Sequence, residues 1–433
     1  MLITRSSLLA AALLGASGCG APLQWTTPTK PLVPLAESPS GGAAFTFCPT
    51  PPADAPVQLT NALWLSFFAA NEYAHGGVVG PMLNDLGFYN PDRPLDRAWA
   101  TCLDDLHQLR KVERAPEAAS ADRQRSLREH ALSLLPGDGS WGSCVRELAA
   151  TATFRKRSLP SGALQEQLVH RAERGAYLQF FSARASGEDR WFKDGSTQFV
   201  FARHKDLPVV IIAFRGTEPG QFADVAVDLN LFLARLDEHG WPAGWGSVHA
   251  GFHRAFLEVE ALLSAKLDEL EGSGVRIWIT GHSLGAALGT LAAARILRAQ
   301  DEGAKLDLGG LYAFGSPRVG DREFVTALGE RAARRGVPIV RVRNENDVVT
   351  AIPGEGFGYA HVGTLIHLSE GKLLVGPAPD PAYARFSVAD HHATGWVDGL
   401  PASGYYRRLK LARDSGAHAA IDRCPPRMGS TSR

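Results

Sequence analysis

The chain has 433 residues, enough for one large α/β domain with additions or for two or three domains of average size. Its 45 basic and 45 acidic residues balance, so its charge gives no reason to expect a nucleic-acid partner. No apolar stretch reaches the roughly 18 residues that a membrane-spanning helix needs. No Cys/His spacing resembles a zinc site, and no metal is expected.

The first twenty residues have the pattern of an export signal. Arg5 precedes the apolar run 8–14, and small residues then lead to Cys19. Small residues before a cysteine also resemble the lipobox of bacterial lipoproteins, although Ala16 stands where leucine is usual. We therefore expect a signal peptide over residues 1–19, with Cys19 as the lipid-attachment residue of a cell-envelope lipoprotein. A plain secreted protein is the alternative.

If Cys19 is lipidated, four further cysteines remain in an oxidising compartment. Four cysteines allow three pairings. We favour Cys48 with Cys424, which ties the two ends of the chain together, and Cys102 with Cys144, which closes one local region.

The chain divides into regions of different composition. Residues 20–57 are rich in Pro, Ser, Gly and Thr, which is typical of an extended tether. Residues 58–160 carry helical signals, such as the apolar segment 63–73, without recognisable chemistry. Residues 161–412 alternate strands with helices, as α/β domains do. Residues 413–433 are expected to form a C-terminal tail.

Short apolar runs rich in β-branched residues predict the strands of the α/β domain. They lie at 197–202, 209–214, 275–280, 309–314 and 338–343. The sequence therefore predicts a mostly parallel central sheet flanked by helices, preceded by a mainly helical N-terminal extension.

The most informative motif is Gly-His-Ser-Leu-Gly at 281–285, which joins the strand 275–280 to the strong helix formers of 286–294. A serine between strand and helix, with glycines two residues away on each side, is typical of a nucleophile elbow. The glycines are needed where a Cβ would clash in the tight turn. Such a turn presents Ser283 Oγ at the strand ends, beside the first N–H groups of the helix. Ser283 is therefore the candidate nucleophile.

A serine nucleophile needs a base, and the base needs an orienting carboxylate. In α/β-hydrolases the chain order is Ser, then Asp or Glu, then His. Asp347 directly follows the predicted strand 338–343 and is the candidate acid, with Glu345 as its closest competitor. Asp321 and Asp380 lie in Gly- or Pro-rich turns, where a role in the turn suffices.

The base is sought among the histidines that follow the acid. These are His361, His367, His391 and His392. The last two lie in a loop before an apolar segment, and their position favours His391 as the base, with His392 as the alternative.

The oxyanion of such a reaction needs two N–H donors. One is the backbone N–H of Leu284, directly after the nucleophile. The other is expected from the loop after the strand 209–214, where Gly216 permits close approach and Thr217 offers an N–H and a hydroxyl. We expect Arg215 to brace this loop rather than to act on substrate.

At these positions the chain resembles the class 3 (fungal-type) lipases of the α/β-hydrolase superfamily. The resemblance is carried, in order, by 214–218 (FRGTE), 248–252 (VHAGF), 281–287 (GHSLGAA), 314–320 (FGSPRVG), 346–349 (NDVV) and 357–363 (FGYAHVG). With their surroundings these segments cover about residues 164–400. The resemblance assigns supporting rather than catalytic places to His282 and His361.

The resemblance implies an α/β-hydrolase fold with Ser283, Asp347 and His391 as catalytic triad. It also implies Thr217 and Leu284 as the oxyanion donors. Together with the motifs, it indicates a carboxylic ester hydrolase acting on lipid esters through an acyl-enzyme, without cofactor or metal.

Three other functions stay open at this point. The chain could be a phospholipase A1 or an esterase of the feruloyl type, or a surface-anchored binding protein without catalysis. A membrane is an expected partner, through the lipid anchor or a lipid interface. The apolar segment 222–233 is either a lid over the acyl pocket or a permanent core helix.

Overall fold

The computed structural model describes residues 32–42, 45–54, 57–72, 83, 85–88, 178–184, 196–216, 232–369, 372–376, 380–393, 404–416, 422 and 424. Several predictions therefore lie outside the described residues. They concern the export signal with Cys19, the Cys102–Cys144 pair, Thr217, nearly all of the segment 222–233 and most of the region 58–160.

A mixed sheet of eight strands forms the centre of the fold, and a second sheet has four strands. The strands of the described chain are β1 (Leu178–Arg184), β2 (Ser196–Arg203), β3 (Val209–Phe214), β4 (Leu233–Arg235), β5 (Ser247–His249), β6 (Arg276–His282), β7 (Asp307–Phe314), β8 (Gly320–Asp321), β9 (Ile339–Asn344), β10 (Tyr359–Ala360), β11 (Thr364–Ser369) and β12 (Lys372–Val375). All five strands expected from the sequence are present, with ends within about two residues of the prediction, the usual uncertainty of an element's boundary.

The central sheet has the spatial order β1-β2-β3-β6-β7-β9-β11-β12. Strands β3, β6, β7, β9 and β11 run parallel to one another, whereas β1, β2 and β12 pair antiparallel at the two edges. The small antiparallel sheet consists of β4, β5, β8 and β10.

Helices cover both faces of the central sheet. They are α1 (Leu59–Asn71), α2 (Ala250–Leu270), α3 (Leu284–Asp301), α4 (Arg322–Arg334) and α5 (Tyr405–Asp414). Side chains alternate between the faces of a strand, so β3 contributes Val210 and Ile212 to the core under α2 and α3, and Val209 and Ile211 to the core under α1 and α5. This mostly parallel, doubly covered sheet confirms the predicted α/β-hydrolase architecture.

Helix α1 is the described helical part of the N-terminal extension, and it belongs to the core. All its residues except Thr60 are buried. The amide of Asn61 bonds both backbone groups of Cys48, at 2.8 Å each, which satisfies its buried polar atoms. Phe45 and Phe47 are buried in the same cluster. These residues of the predicted tether 20–57 therefore belong to the folded body, because aromatic burial holds them on the sheet.

The two ends of the described chain are joined. A disulfide links Cys48 to Cys424, as predicted, and the Asp422 carboxylate accepts from both the N–H (2.8 Å) and the hydroxyl (2.6 Å) of Thr60. Within the expected C-terminal tail 413–433, residues 413, 422 and 424 therefore contact the N-terminal segment. Among the described helices, none has the length and apolar composition needed to cross a membrane.

Candidate active site

The turn between β6 and α3 has the strained backbone that the motif predicts. Ser283 has φ 60° and ψ −128°, and positive φ is unfavourable for a residue with a Cβ. A Cβ on Gly281 would lie 2.3 Å from the carbonyl of Gly285, and one on Gly285 would lie 2.2 Å from the carbonyl oxygen of Phe214. Both glycines are therefore required by close backbone contacts.

Ser283 itself is 1% exposed, and its N–H donates to the carbonyl of Phe314 at the end of β7 (2.9 Å). Its Oγ makes no hydrogen bond to any residue that the structure describes. Leu284 and Gly285 open helix α3, so their N–H groups have no partner one turn earlier in the helix. The serine hydroxyl thus lies at the positive end of a helix.

The predicted acid and the predicted base form a direct pair. Asp347 follows β9 and is 0% exposed. Its two carboxylate oxygens lie 3.0 and 2.9 Å from Nδ1 of His391, the last residue of a 3-10 helix at Ala389–His391. The carboxylate also accepts from the N–H of Val349 at 2.9 Å. This arrangement directs the other ring nitrogen of His391 away from the acid.

The end of β7 brings this pair to the serine. The carbonyl oxygen of Phe314 accepts from the N–H of Ser283, and the next residue, Gly315, has φ +57°. A Cβ on Gly315 would lie 3.0 Å from Oδ2 of Asp347 and 3.0 Å from Cε1 of His391. The carboxyl ends of β6, β7 and β9 therefore converge on one place, as in other open α/β sheets.

His282 and His392 flank the candidate base. The His282 ring lies 4.5 Å from the His391 ring, and its Nε2 lies 2.7 Å from the His391 carbonyl. Burial, with a smaller contribution from His391, holds the pKa of His282 well below its usual value. Burial also lowers the pKa of His392. Of these two neighbouring histidines, His391 is the one that contacts the carboxylate of Asp347. His282 thus supports the base through its backbone.

The other two candidate histidines hold neighbouring backbone. Nε2 of His361 lies 2.7 Å from the carbonyl of Thr350, just beyond the acid. Nε2 of His367 lies 3.2 Å from the carbonyl of Glu345. Burial lowers the pKa of both imidazoles.

The rival carboxylates have other partners. Asp321 caps α4 by accepting from the N–H of Phe324 (2.8 Å), and Asp380 pairs with Arg341 (2.5 Å). Glu345 pairs with Arg408 of α5 (2.6 Å). Of the four acids considered, the structure places Asp347 against an imidazole.

Sequence reasoning missed Tyr405. Its hydroxyl, at the start of α5, donates to Oδ2 of Asp347 and accepts from the N–H of Asn344 (3.1 Å). Burial, followed by the negative charge of Asp347, raises the pKa of Tyr405 well above its ordinary value, so the hydroxyl stays a donor. No motif marks this tyrosine; the available signal was an aromatic pair opening an amphipathic helix after the base.

The oxyanion loop is described only up to Gly216, so the position of Thr217 stays a prediction. The loop starts beside the elbow, since Phe214 pairs with Gly281 in the parallel β3–β6 ladder. Glu72, at the end of α1, lies near enough to Arg215 for the guanidinium to favour its charged form. Burial nevertheless raises the pKa of Glu72 well above its usual value.

Among the described residues no three His, Cys, Asp or Glu side chains are grouped so as to hold a metal ion.

Comparison with known proteins identifies the family. The family model "Lipase (class 3)" matches residues 211–357. The chain is 31% identical over 249 residues to the secreted mono- and diacylglycerol lipase MDL3 of Malassezia globosa, covering 54% of this chain and 74% of that protein. It is 30% identical over 188 residues to phospholipase A1-II 1 of rice (Oryza sativa), covering 39% and 45%. The chain belongs to the class 3 lipase family.

The chain spans about half the length of the curated relatives that it matches first. Among solved structures, the Rhizomucor miehei triacylglyceride lipase is 24% identical, covers 54% of this chain and 84% of its own, and gives a TM-score of 0.41.

Proposed function

We propose that the protein is a serine hydrolase of lipid esters, similar to triacylglycerol lipases. Ser283 is the nucleophile, His391 the general base and Asp347 the carboxylate that orients it. The observation that carries the proposal is the His391–Asp347 pair at 2.9 Å beside a strained serine elbow. Family membership supports the same chemistry.

The mechanism has two acyl-transfer steps. His391 Nε2 accepts the proton of Ser283 Oγ while Oγ attacks the ester carbonyl, and the carbonyl π electrons move to its oxygen. The N–H of Leu284 and the N–H and hydroxyl of Thr217 donate to this oxyanion. Collapse breaks the C–O bond, and His391 returns the proton to the departing alcohol.

Water then attacks the acyl-enzyme with His391 again as the base, which releases the acid and restores the serine. Throughout both steps Asp347 stabilises the imidazolium. The buried Oγ of Ser283 and its place at the start of α3 support this assignment of roles.

We also propose export of the protein, with lipid attachment at Cys19 or release as a secreted protein. The residues of the N-terminus support export, and the relative from M. globosa is named as secreted. Mass spectrometry of the mature N-terminus in an exporting host distinguishes a diacylated Cys19 from a free, cleaved end.

Site-directed variants test the triad. We expect Ser283→Ala to lose on the order of 10⁶ in turnover, because the nucleophile is gone. His391→Ala should lose a comparable factor, whereas His392→Ala, its matched control, should keep most activity. Full activity in Ser283→Ala, or equal mild losses in the two histidine variants, contradicts the proposal.

A substrate panel tests the class of ester. Triacylglycerol emulsions, phosphatidylcholine vesicles and soluble p-nitrophenyl esters should be compared with the same preparation. Preference for the emulsion supports the lipase assignment, and a rise in activity once the ester forms an interface supports a lid at 222–233. Preference for phospholipid favours phospholipase A1, as in the rice relative, and preference for short soluble esters favours an esterase. A folded protein that no fluorophosphonate labels would be a binding protein.

A further inference from the structure

The turn that carries Asp347 has an unusual backbone. Glu345, two residues earlier, has φ 43°, in the left-handed region that residues with a Cβ seldom adopt. Within the described chain, Ser283 is the only other non-glycine residue with positive φ. A residue keeps such a conformation only where its surroundings hold it there.

At least four contacts hold Glu345 in place. Its N–H donates to the carbonyl of Leu368 (2.8 Å), and its carbonyl oxygen lies 3.2 Å from Nε2 of His367. Its Oε2 accepts from the hydroxyl of Ser369 (3.2 Å), and its Oε1 accepts from Nη1 of Arg408 (2.6 Å). Three of these partners belong to β11. The fourth, the guanidinium of Arg408, belongs to α5 and connects the turn to that helix.

Arg408 shares one face of α5 with Tyr405, since residues three apart on a helix are neighbours. Tyr405 contacts Asn344 and Asp347, and Arg408 contacts Glu345. Helix α5 therefore contacts the turn at three points, which are Asn344, the left-handed residue Glu345 and Asp347. The side chains of Arg408 and Glu345 are only 21% and 14% exposed, so solvent screens their attraction less than that of a surface pair.

Two further ion pairs of α5 are different. Lys410 and Arg413 both pair with Asp414, a neighbour on the same helix whose side chain is 47% exposed. Such pairs stabilise the helix slightly. Arg413 also donates to the carbonyl of Pro39 (2.7 Å), away from the turn, whereas Lys410 pairs within the helix.

We propose that Arg408 is a positioning residue, which through its ion pair with Glu345 fixes the turn that presents Asp347 to His391. Its side chain contacts Glu345 and not the imidazole of His391. The inference rests on the proposed function, because it requires Asp347 to be the orienting carboxylate. Without the guanidinium the turn and α5 can separate, and misplacing a group by about 1 Å can cost as much as ~10²-fold in rate.

The test compares kcat and KM on a soluble p-nitrophenyl ester, with active sites counted by fluorophosphonate labelling. We expect Arg408→Met to lower kcat about tenfold per labelled site and to leave KM within about twofold, because the change affects the transition state rather than binding. Arg408→Lys should recover most of the loss, since the charge remains. Glu345→Gln should match Arg408→Met, and the double variant should be no worse than either.

Lys410→Met is the matched control, since it removes a cation from the same helix away from the turn, and it should keep wild-type kcat. Wild-type kcat per labelled site in Arg408→Met overturns the inference, and so does an equal loss in Lys410→Met. If Arg408→Met does not fold, Glu345→Gln carries the comparison, because it keeps the side-chain size and the Ser369 contact.

Failure of the inference and failure of the proposed function give different results. An unlabelled wild type, or a fully active Asp347→Asn, removes both. A labelled wild type and an impaired Asp347→Asn, together with an unaffected Arg408→Met, remove the positioning role alone.

Discussion

Replacing Tyr405 with phenylalanine tests how the acid is held. The change removes one hydroxyl and keeps the ring, which lies in the core under α1 and α5. That hydroxyl joins the N–H of Asn344 to Oδ2 of Asp347, and all three residues are 0% exposed. The variant therefore leaves a buried N–H without its partner and a buried carboxylate with fewer donors.

The structure sets the expected size of the effect. A hydrogen bond to a charged group contributes about 1.5–3 kcal/mol, and an unpaired buried N–H costs about 1–3 kcal/mol; the two overlap because one hydroxyl serves both. Asp347 keeps its bonds to Val349 and His391. We expect the free energy of unfolding to fall by about 2–3 kcal/mol. We expect kcat to fall about tenfold, equivalent to about 1.4 kcal/mol in the barrier.

Urea unfolding and steady-state kinetics on a soluble ester measure the two effects. Tyr406→Phe is the matched control, because its hydroxyl donates to the carbonyl of Glu37, far along the chain from the acid. The control should lose about 1 kcal/mol of stability and no kcat. Wild-type stability and kcat in Tyr405→Phe would refute the reasoning, and so would the same loss of kcat in both variants.

Three further predictions concern stability and packing. Burial lowers the pKa of His253 to about 4. Between about pH 6.5 and 4 the unfolded chain therefore binds a proton that the folded chain does not, and the free energy of unfolding falls as the pH is lowered. His253→Gln should show a smaller fall in urea midpoints over this range. Gly315→Ala should abolish most esterase activity, because its Cβ would lie 3.0 Å from Asp347 and its φ is +57°; an active, folded variant contradicts this. Reducing the Cys48–Cys424 bond should lower the free energy of unfolding by about 2–5 kcal/mol, measured with and without dithiothreitol, whereas equal unfolding curves would show that the bond adds nothing.

The sheet and the elbow could be predicted because local sequence dictates them. The strand at 209–214 has the predicted ends, since a continuous β-branched run between turns admits few alternatives. The glycines at 281 and 285 could be explained in advance because the turn leaves no room for a Cβ. The chain order of acid and base then directed attention to Asp347 and His391, which the fold brings to 2.9 Å.

The supports of the acid could not be predicted, because they depend on distant segments. Tyr405 and Arg408 lie on a helix whose sequence contains no catalytic motif, and their partners are 58 and 63 residues earlier. The burial of Phe45 and Phe47 was also missed. Proline and serine around them suggested a linker, whereas the apolar face of the sheet required a cover.

Helix α1 has a practical consequence for recombinant production. The segment that matches the class 3 lipase model, 211–357, includes Ser283 and Asp347. It lacks His391 and the helices α1 and α5, which cover one face of the sheet. Trimming a gene to those limits would bare Trp278 and Tyr312, now fully buried, to water. Exposed apolar surface promotes aggregation, so we expect the folded protein to require the segments before residue 211 and after residue 357.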